Sequence, residues 1–267
     1  MTAMPALAMP TAPPQRSRGA VSAAWVAGRL HRLRQEGSAK GIALPGPELV
    51  ILNTSGGLTG GDRLTIDLDT GDGAHITATT QTAERIYRSA EGQADITITA
   101  RVGQGARLDW LPQETILFHG SAARRTTAID LAADAACLTC ETLVLGRAAM
   151  GETVRTLSLH DTRRITRAGR PVHLDPFVLD SARLGAPAGP AEARALCTLV
   201  LVARGAEDAL GPARAALTEP GVTAAASGWD GRLVLRLMAP DAWPLRRQLL
   251  RLLATLRNRP PPRVWQG

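Results

Sequence analysis

Residues 53–69 read NTSGGLTGGDRLTIDLD: two glycine pairs separated by Leu58 and Thr59, an aspartate at Asp62, then a run that alternates polar with apolar. The apolar run Leu49 to Leu52 leads into it. A glycine-rich turn after an apolar strand is also how nucleotide loops begin, so that reading is tested first. It fails on residue types. No Lys-Ser/Thr pair follows the glycines, the spacing is not G-x-G-x-x-G, and Arg63 to Asp69 alternate with period two instead of opening a helix. The stretch therefore predicts strand, tight loop, strand. Within the loop, Gly56, Gly57, Gly60 and Gly61 are expected to take positive φ or to admit another backbone where a Cβ would clash, which fixes the position of Asp62.

The same alternation continues along the chain. Leu64, Ile66 and Leu68 oppose Thr65, Asp67 and Asp69, and Ile96, Ile98 and Ala100 oppose Thr97, Thr99 and Arg101. Gly71-Asp72-Gly73, Gly92 and Gly103-Gln104-Gly105 punctuate these runs, which predicts meandering sheets that stack or coil. Further strands are expected near 106–110, 115–118, 127–131, 138–145 and 154–160. The glycine-proline stretch 185–190 breaks the pattern, and residues 191–267 read as mixed α/β: strands at 196–202 and 232–238, a short helix at 207–217, then a long helix. Asp241 caps that helix, Pro244 sits in its first turn and Pro260 stops it. Leu245, Leu249, Leu252, Leu253 and Leu256 form its apolar stripe, while Arg246, Arg247, Arg251 and Arg257 read as a solvated basic side. The fold class expected is mainly β, with stacked or helically arranged sheets and a few helices, two of them in the C-terminal third. Residues 1–20, rich in Pro and Ala, are expected as a disordered tail before a single domain over 21–267.

The chain has 267 residues, 45% of them hydrophobic, enough for the core of a soluble protein. No run approaches the roughly 20 apolar residues of a membrane span, and the N-terminus lacks the charged start and apolar core of a secretory signal. A net charge of +7 permits nucleic acid, an anionic membrane or an acidic protein as partner. Arginine carries nearly all of that charge, Lys40 being the only lysine, and 3% aromatic content argues against a base-stacking surface. The expectation is no nucleic acid and no membrane.

Three cysteines, an odd count in a chain this long, argue against a disulfide framework, and a reducing cytoplasm fits. Cys137 and Cys140 spell C-x-x-C within a strand, where residues three apart face opposite ways, so buried structural thiols are expected. His31, His75, His119, His160 and His173 show no metal-ligand spacing, and no G-x-S-x-G elbow occurs. Four carboxylates stand at element ends or beside arginines: Asp62, Glu114, Glu141 and Glu152. Each reads as a turn contact or ion pair, or as part of an oxygen-ligand set that holds a transition metal weakly and releases it readily. Paired carboxylates on a sheet would alternatively serve a carbohydrate-active enzyme.

Five blocks occur in order: NTSGGLTGGD at 53–62, TTQTA at 79–83 with YRS at 87–89, WLPQETILF at 110–118, LGRAAMGE at 145–152 and PRVW at 262–265. Together they resemble the UreD (UreH) family of urease accessory proteins from about Trp25 to Trp265. Two features depart from the family: the segment between Leu33 and Leu49 is short, and Arg85 stands where a Lys is usual. The resemblance implies a largely β fold and a non-enzymatic maturation factor for nickel urease. Such a protein binds UreF directly, UreG through UreF, and apo-urease with them. No tightly bound cofactor is implied, only transient Ni²⁺. On that resemblance Asp62, Glu114, Glu141 and Glu152 are expected to line or brace a polar passage, shaped by or paired with Thr79, Thr80, Arg88, Ser89 and Arg147.

Overall fold

A computed structural model describes residues 16–186, 189–190, 192–257 and 259–266. In chain order the strands are β1 (Arg18–Val26), β2 (Arg29–Gly37), β3 (Ala39–Leu44), β4 (Glu48–Asn53), β5 (Arg63–Thr70), β6 (His75–Thr80), β7 (Glu84–Ile86), β8 (Ala94–Val102), β9 (Arg107–Leu111), β10 (Thr115–Leu117), β11 (Ser121–Leu131), β12 (Ala136–Leu145), β13 (Leu157–Arg167), β14 (Arg170–Asp180), β15 (Ala195–Val202), β16 (Thr223–Trp229) and β17 (Arg232–Ala239). The helices are α1 (Ser181–Leu184), α2 (Leu210–Ala215) and α3 (Ala242–Arg257).

The main strands from β4 to β13 cross between two sheets. β4, β6, β9 and β12 lie in a ten-stranded sheet and β5, β8, β11 and β13 in a seven-stranded one, with successive members of each sheet parallel. Parallel neighbours cannot be joined by a tight hairpin, so the chain closes each turn by crossing to the other layer. The result is a flattened coil, the helically arranged form of the expected stacked sheets. Antiparallel pairs β1–β2, β3–β4, β13–β14 and β15–β17–β16 flank it.

The two ends of this coil differ. Crossovers from the smaller sheet to the larger are short turns at 71–74, 103–106 and 132–135, whereas those returning run through 54–62, 87–93, 118–120 and 146–156. Four of the five sequence blocks contribute to these returning connections.

Period-two patterning decides the packing. Leu64, Ile66 and Leu68 of β5 and Ile96, Ile98 and Ala100 of β8 are buried between the layers, and their polar alternates lie on the outer face. A second core fills the outer side of the larger sheet, where Leu245, Leu249, Leu252, Leu253 and Leu256 of α3 pack with Trp265. The Asp241 carboxylate accepts from Trp243 N at 2.9 Å, the expected cap.

Several expectations are corrected. β1 already starts at Arg18, so residues 18–20 belong to the sheet; residues 1–15 of the expected tail lie outside the described residues. Edge strands β14 and β16 went unread, β11 begins six residues before the expected 127, and the helix at 207–217 is a 3₁₀ turn, Ala206–Ala209, running into α2. The basic side of α3 is solvated only in part: Arg247 and Arg251 stay exposed, as expected, while Arg246 and Arg257 are drawn into the protein. Arg257 is buried on Asp109, Arg246 reaches Gln113 and Glu114, and Arg247 and Arg251 both pair with Glu219. Each partner comes from another element, so helical periodicity alone could not reveal it.

Candidate functional site

The inner face of the smaller sheet changes chemistry across its width. Strand register sets Leu64, Ile96, Arg125, Asp161 and Phe177 in one row, and Ile66, Ile98, Thr127, Arg163 and Asp175 in the next. The β5–β8 half is apolar; the β11–β14 half carries charge. Opposite it, β12 turns Cys137, Glu141 and Leu143 into the interlayer and Cys140 to the helix side. The cysteines do face opposite ways, and all three are buried free thiols.

Arg125 organises the charged half. Its Nε and Nη2 fork onto Asp161 at 3.1 and 2.7 Å, while Nη1 meets Glu141 Oε2 at 2.7 Å and Thr115 Oγ1 at 3.1 Å. Arg163 lies 3.5 Å from Asp161 and 3.2 Å from Asp175, and Arg236 Nη2 bonds Asp175 at 2.7 Å. Three guanidinium groups thus meet three carboxylates, the balance that a buried ion cluster requires.

Burial opposes ionisation of both acids on Arg125. At Glu141 burial prevails over the Arg125 charge and the pKa is raised; at Asp161 the Arg125 and Arg163 charges, with the forked bonds, outweigh burial and lower it. Glu141 Oε1 and the nearby Trp110 Nε1 stand outside hydrogen-bond geometry. The cluster borders a cleft of about 550 Å³ between β14 and strands β15–β17, walled by Leu143, Phe177 and Leu237, with Glu141, Arg163 and Arg236 as polar lining.

Among the four carboxylates singled out in the sequence, Glu141 alone lines this cleft. Asp62 is buried in the 54–62 loop and accepts from Ser17 N at 2.7 Å and Thr59 N at 2.8 Å. Glu114 lies 3.6 Å from Arg246, beside α3 on the side of the larger sheet opposite Glu141. Glu152 accepts from His119 N at 3.0 Å, Arg147 N at 3.1 Å and Arg147 Nε at 2.8 Å, clamping two connections together. Burial works against it, but the bonds from Arg147 and His119 lower its pKa.

The remaining motif residues are braces. Thr79 Oγ1 donates to Leu111 O at 2.6 Å and accepts from Trp265 Nε1 at 3.0 Å; Thr80 Oγ1 accepts from Gln113 N at 2.8 Å. Ser89 Oγ donates to Glu91 O and Gly92 O, while Arg88 is exposed and its carbonyl accepts from Thr59. Arg147 lies 4.7 Å above the Phe118 ring. Both glycine expectations are met: Gly56, Gly57 and Gly61 have positive φ, and a Cβ on Gly60 would collide with Glu91 O and Ser89 Oγ. The structure therefore separates Glu141 from a long-loop group made of Asp62, Arg88, Ser89, Arg147 and Glu152.

Sequence reasoning missed Arg125, Asp161, Arg163 and Asp175. A signal was there: stepping by two from Leu131 and Ile129 reaches Arg125, and Leu157, Leu159 and Ile165 share their face with Asp161 and Arg163. Among the described residues no three His, Cys, Asp or Glu side chains converge as metal ligands, and no helix is long and apolar enough to cross a membrane.

Fold and interior define a class: a two-layered parallel β-coil with a balanced ion cluster at one edge and structured loops at one end. A family model described as UreD urease accessory protein matches residues 20–266, and the chain belongs to that family. It is 57% identical to the urease accessory protein UreD of Cereibacter sphaeroides over 89% of each chain. Its identity to the UreD of Paracoccus denitrificans is 52%, over 94% of this chain and 93% of the relative, and to that of a Methylobacterium species 44%, over 94% and 95%.

Proposed function

We propose that this chain is a non-catalytic, cytoplasmic maturation factor for nickel urease: a scaffold that binds UreF directly, UreG through UreF, and apo-urease with them, acting as a chaperone of metallocentre assembly. Family membership supports the role in urease maturation. The observation that carries the nickel-passage reading is Glu141, a carboxylate at a cleft with one oxygen bound by Arg125 and the other without a partner.

In this reading Glu141 offers the passing cation its free oxygen, and the cluster behind it holds the side chain in place. A lone carboxylate without His or Cys gives the weak, quickly released contact that transfer needs. Asp62, Glu152, Thr79, Thr80, Ser89 and Arg147 brace the walls and loops through the bonds described, and Glu114 holds α3 through Arg246.

The test is co-expression with a urease operon lacking its own UreD, scoring nickel content and urea hydrolysis of the purified urease. The wild-type chain restores both. Glu141→Ala leaves complex assembly intact and lowers nickel content on the order of tenfold. Full nickel content with Glu141→Ala would remove the passage role, and failure of the wild type with cognate partners would remove the maturation role.

A further inference from the structure

We propose that the long-loop end of the coil is a preformed docking surface for the acidic face of a folded protein. The proposal rests on the maturation reading, in which the chain acts inside a complex, and adds where and by what chemistry it binds.

All four returning connections meet here. Tyr87 OH donates to Gly56 O at 3.0 Å, Tyr87 packs edge-on against Phe118 at 4.9 Å, and Arg147 covers the Phe118 face. Gly57, at φ 150°, is needed because a Cβ would strike the Tyr87 ring and stand 2.8 Å from Arg85 O. His119 Nδ1 accepts from Arg155 N at 3.2 Å and Thr156 N at 3.4 Å, while Glu152 bonds the His119 amide. The loops are thus tied to one another, which lowers the ordering cost of binding.

The surface composition is that of an interface centre. The chain has one tyrosine and two phenylalanines. It places Tyr87 and Phe118 together here, with Tyr87 38% exposed beside the segment carrying Met150, which is 73% exposed. Arg85, Arg88, Arg147 and Arg155 are exposed around them. Glu152 is spent on Arg147 and His119, and Glu84 is bonded to Asn53, leaving Glu91 as the exposed carboxylate of these loops. Aromatic, Met and Arg groups with few acids mark the residues that interfaces favour, and the charge selects an acidic partner. Because Arg147 lies over the Phe118 ring and Tyr87 packs against it, little flat ring is left for stacking a base, which favours protein over nucleic acid.

The test uses the full chain and the charge-reversed variant Arg88→Glu/Arg155→Glu, since both residues bond through their backbones alone among the described residues. The control is Arg29→Glu/Arg32→Glu, on the β1–β2 hairpin at the opposite end of the smaller sheet. Binding is measured against purified cognate UreF, apo-urease and a single-stranded RNA, at low and high salt. The proposal expects wild type to bind at least one of the two proteins, the Arg88/Arg155 variant to bind it about tenfold more weakly or worse, and the control to bind like wild type. An unchanged affinity in the Arg88/Arg155 variant overturns the docking surface while the maturation reading stands. Loss confined to the RNA assigns the surface to nucleic acid instead. Wild type binding neither protein overturns the maturation reading and, with it, this proposal.

Discussion

The Asp109 carboxylate takes Arg107 Nε at 2.8 Å and Arg257 Nε at 2.9 Å, so one fully buried anion ties β9 to the last turn of α3. Burial alone would raise its pKa, but His75 at 3.6 Å, Arg107 and Arg257 outweigh it and hold the carboxyl well below the usual range. Asp109→Ala leaves two guanidinium groups without their anion and should cost about 3–5 kcal/mol in urea unfolding at neutral pH. A depressed pKa stabilises above the ordinary carboxylate value, about 3.9, and that contribution drains away as pH falls toward the folded value. The stability gap between wild type and Asp109→Asn should therefore be widest near neutrality and narrow below about pH 4. A gap that widened on acidification would sink this account. Arg107 is a neighbour in sequence, but nothing there announces Arg257, which lies 148 positions away.

At the scale of elements, the course of α3 was legible: cap, stripe and stop all follow from local chemistry. What it packs with was not. Trp265, in the 3₁₀ turn after the helix, is buried with Nε1 on Thr79 Oγ1 at 3.0 Å, and Arg246 lies 5.0 Å from its ring centre. This latch joins the C-terminus to β6, β9 and α3, so Trp265→Ala should lower stability by about 3–5 kcal/mol. Thr79→Val, which keeps the volume but removes the hydroxyl, should cost about 0.5–1.5 kcal/mol, because the indole N–H then keeps only its longer bond to Leu111 O at 3.3 Å. Thermal melts of both variants check this, and a Trp265→Ala melt superimposable on wild type would refute the latch. β14 and β16 were less legible because edge strands carry half-exposed, broken alternation.

Across the whole molecule, the parallel centre of the coil should open last. Amide exchange is expected to be slowest in β8, β9, β11 and β12, which have neighbours on both sides and sit against buried cores, and fastest in β2, an exposed edge strand. Protection in β2 equal to that of β11 would contradict the architecture. The sequence by itself determined that the chain is built of half-buried strands, where its glycine turns fall, that α3 closes the fold, and through its five blocks which family it belongs to. These are readable because period, turn chemistry and capping act over a few residues. Only the tertiary structure decided that the strands coil in parallel between two layers, that Glu141 joins Arg125 and Asp161, and that the motif loops gather at one end. Those outcomes depend on register between strands tens of residues apart, and one step of register moves a side chain to the other face.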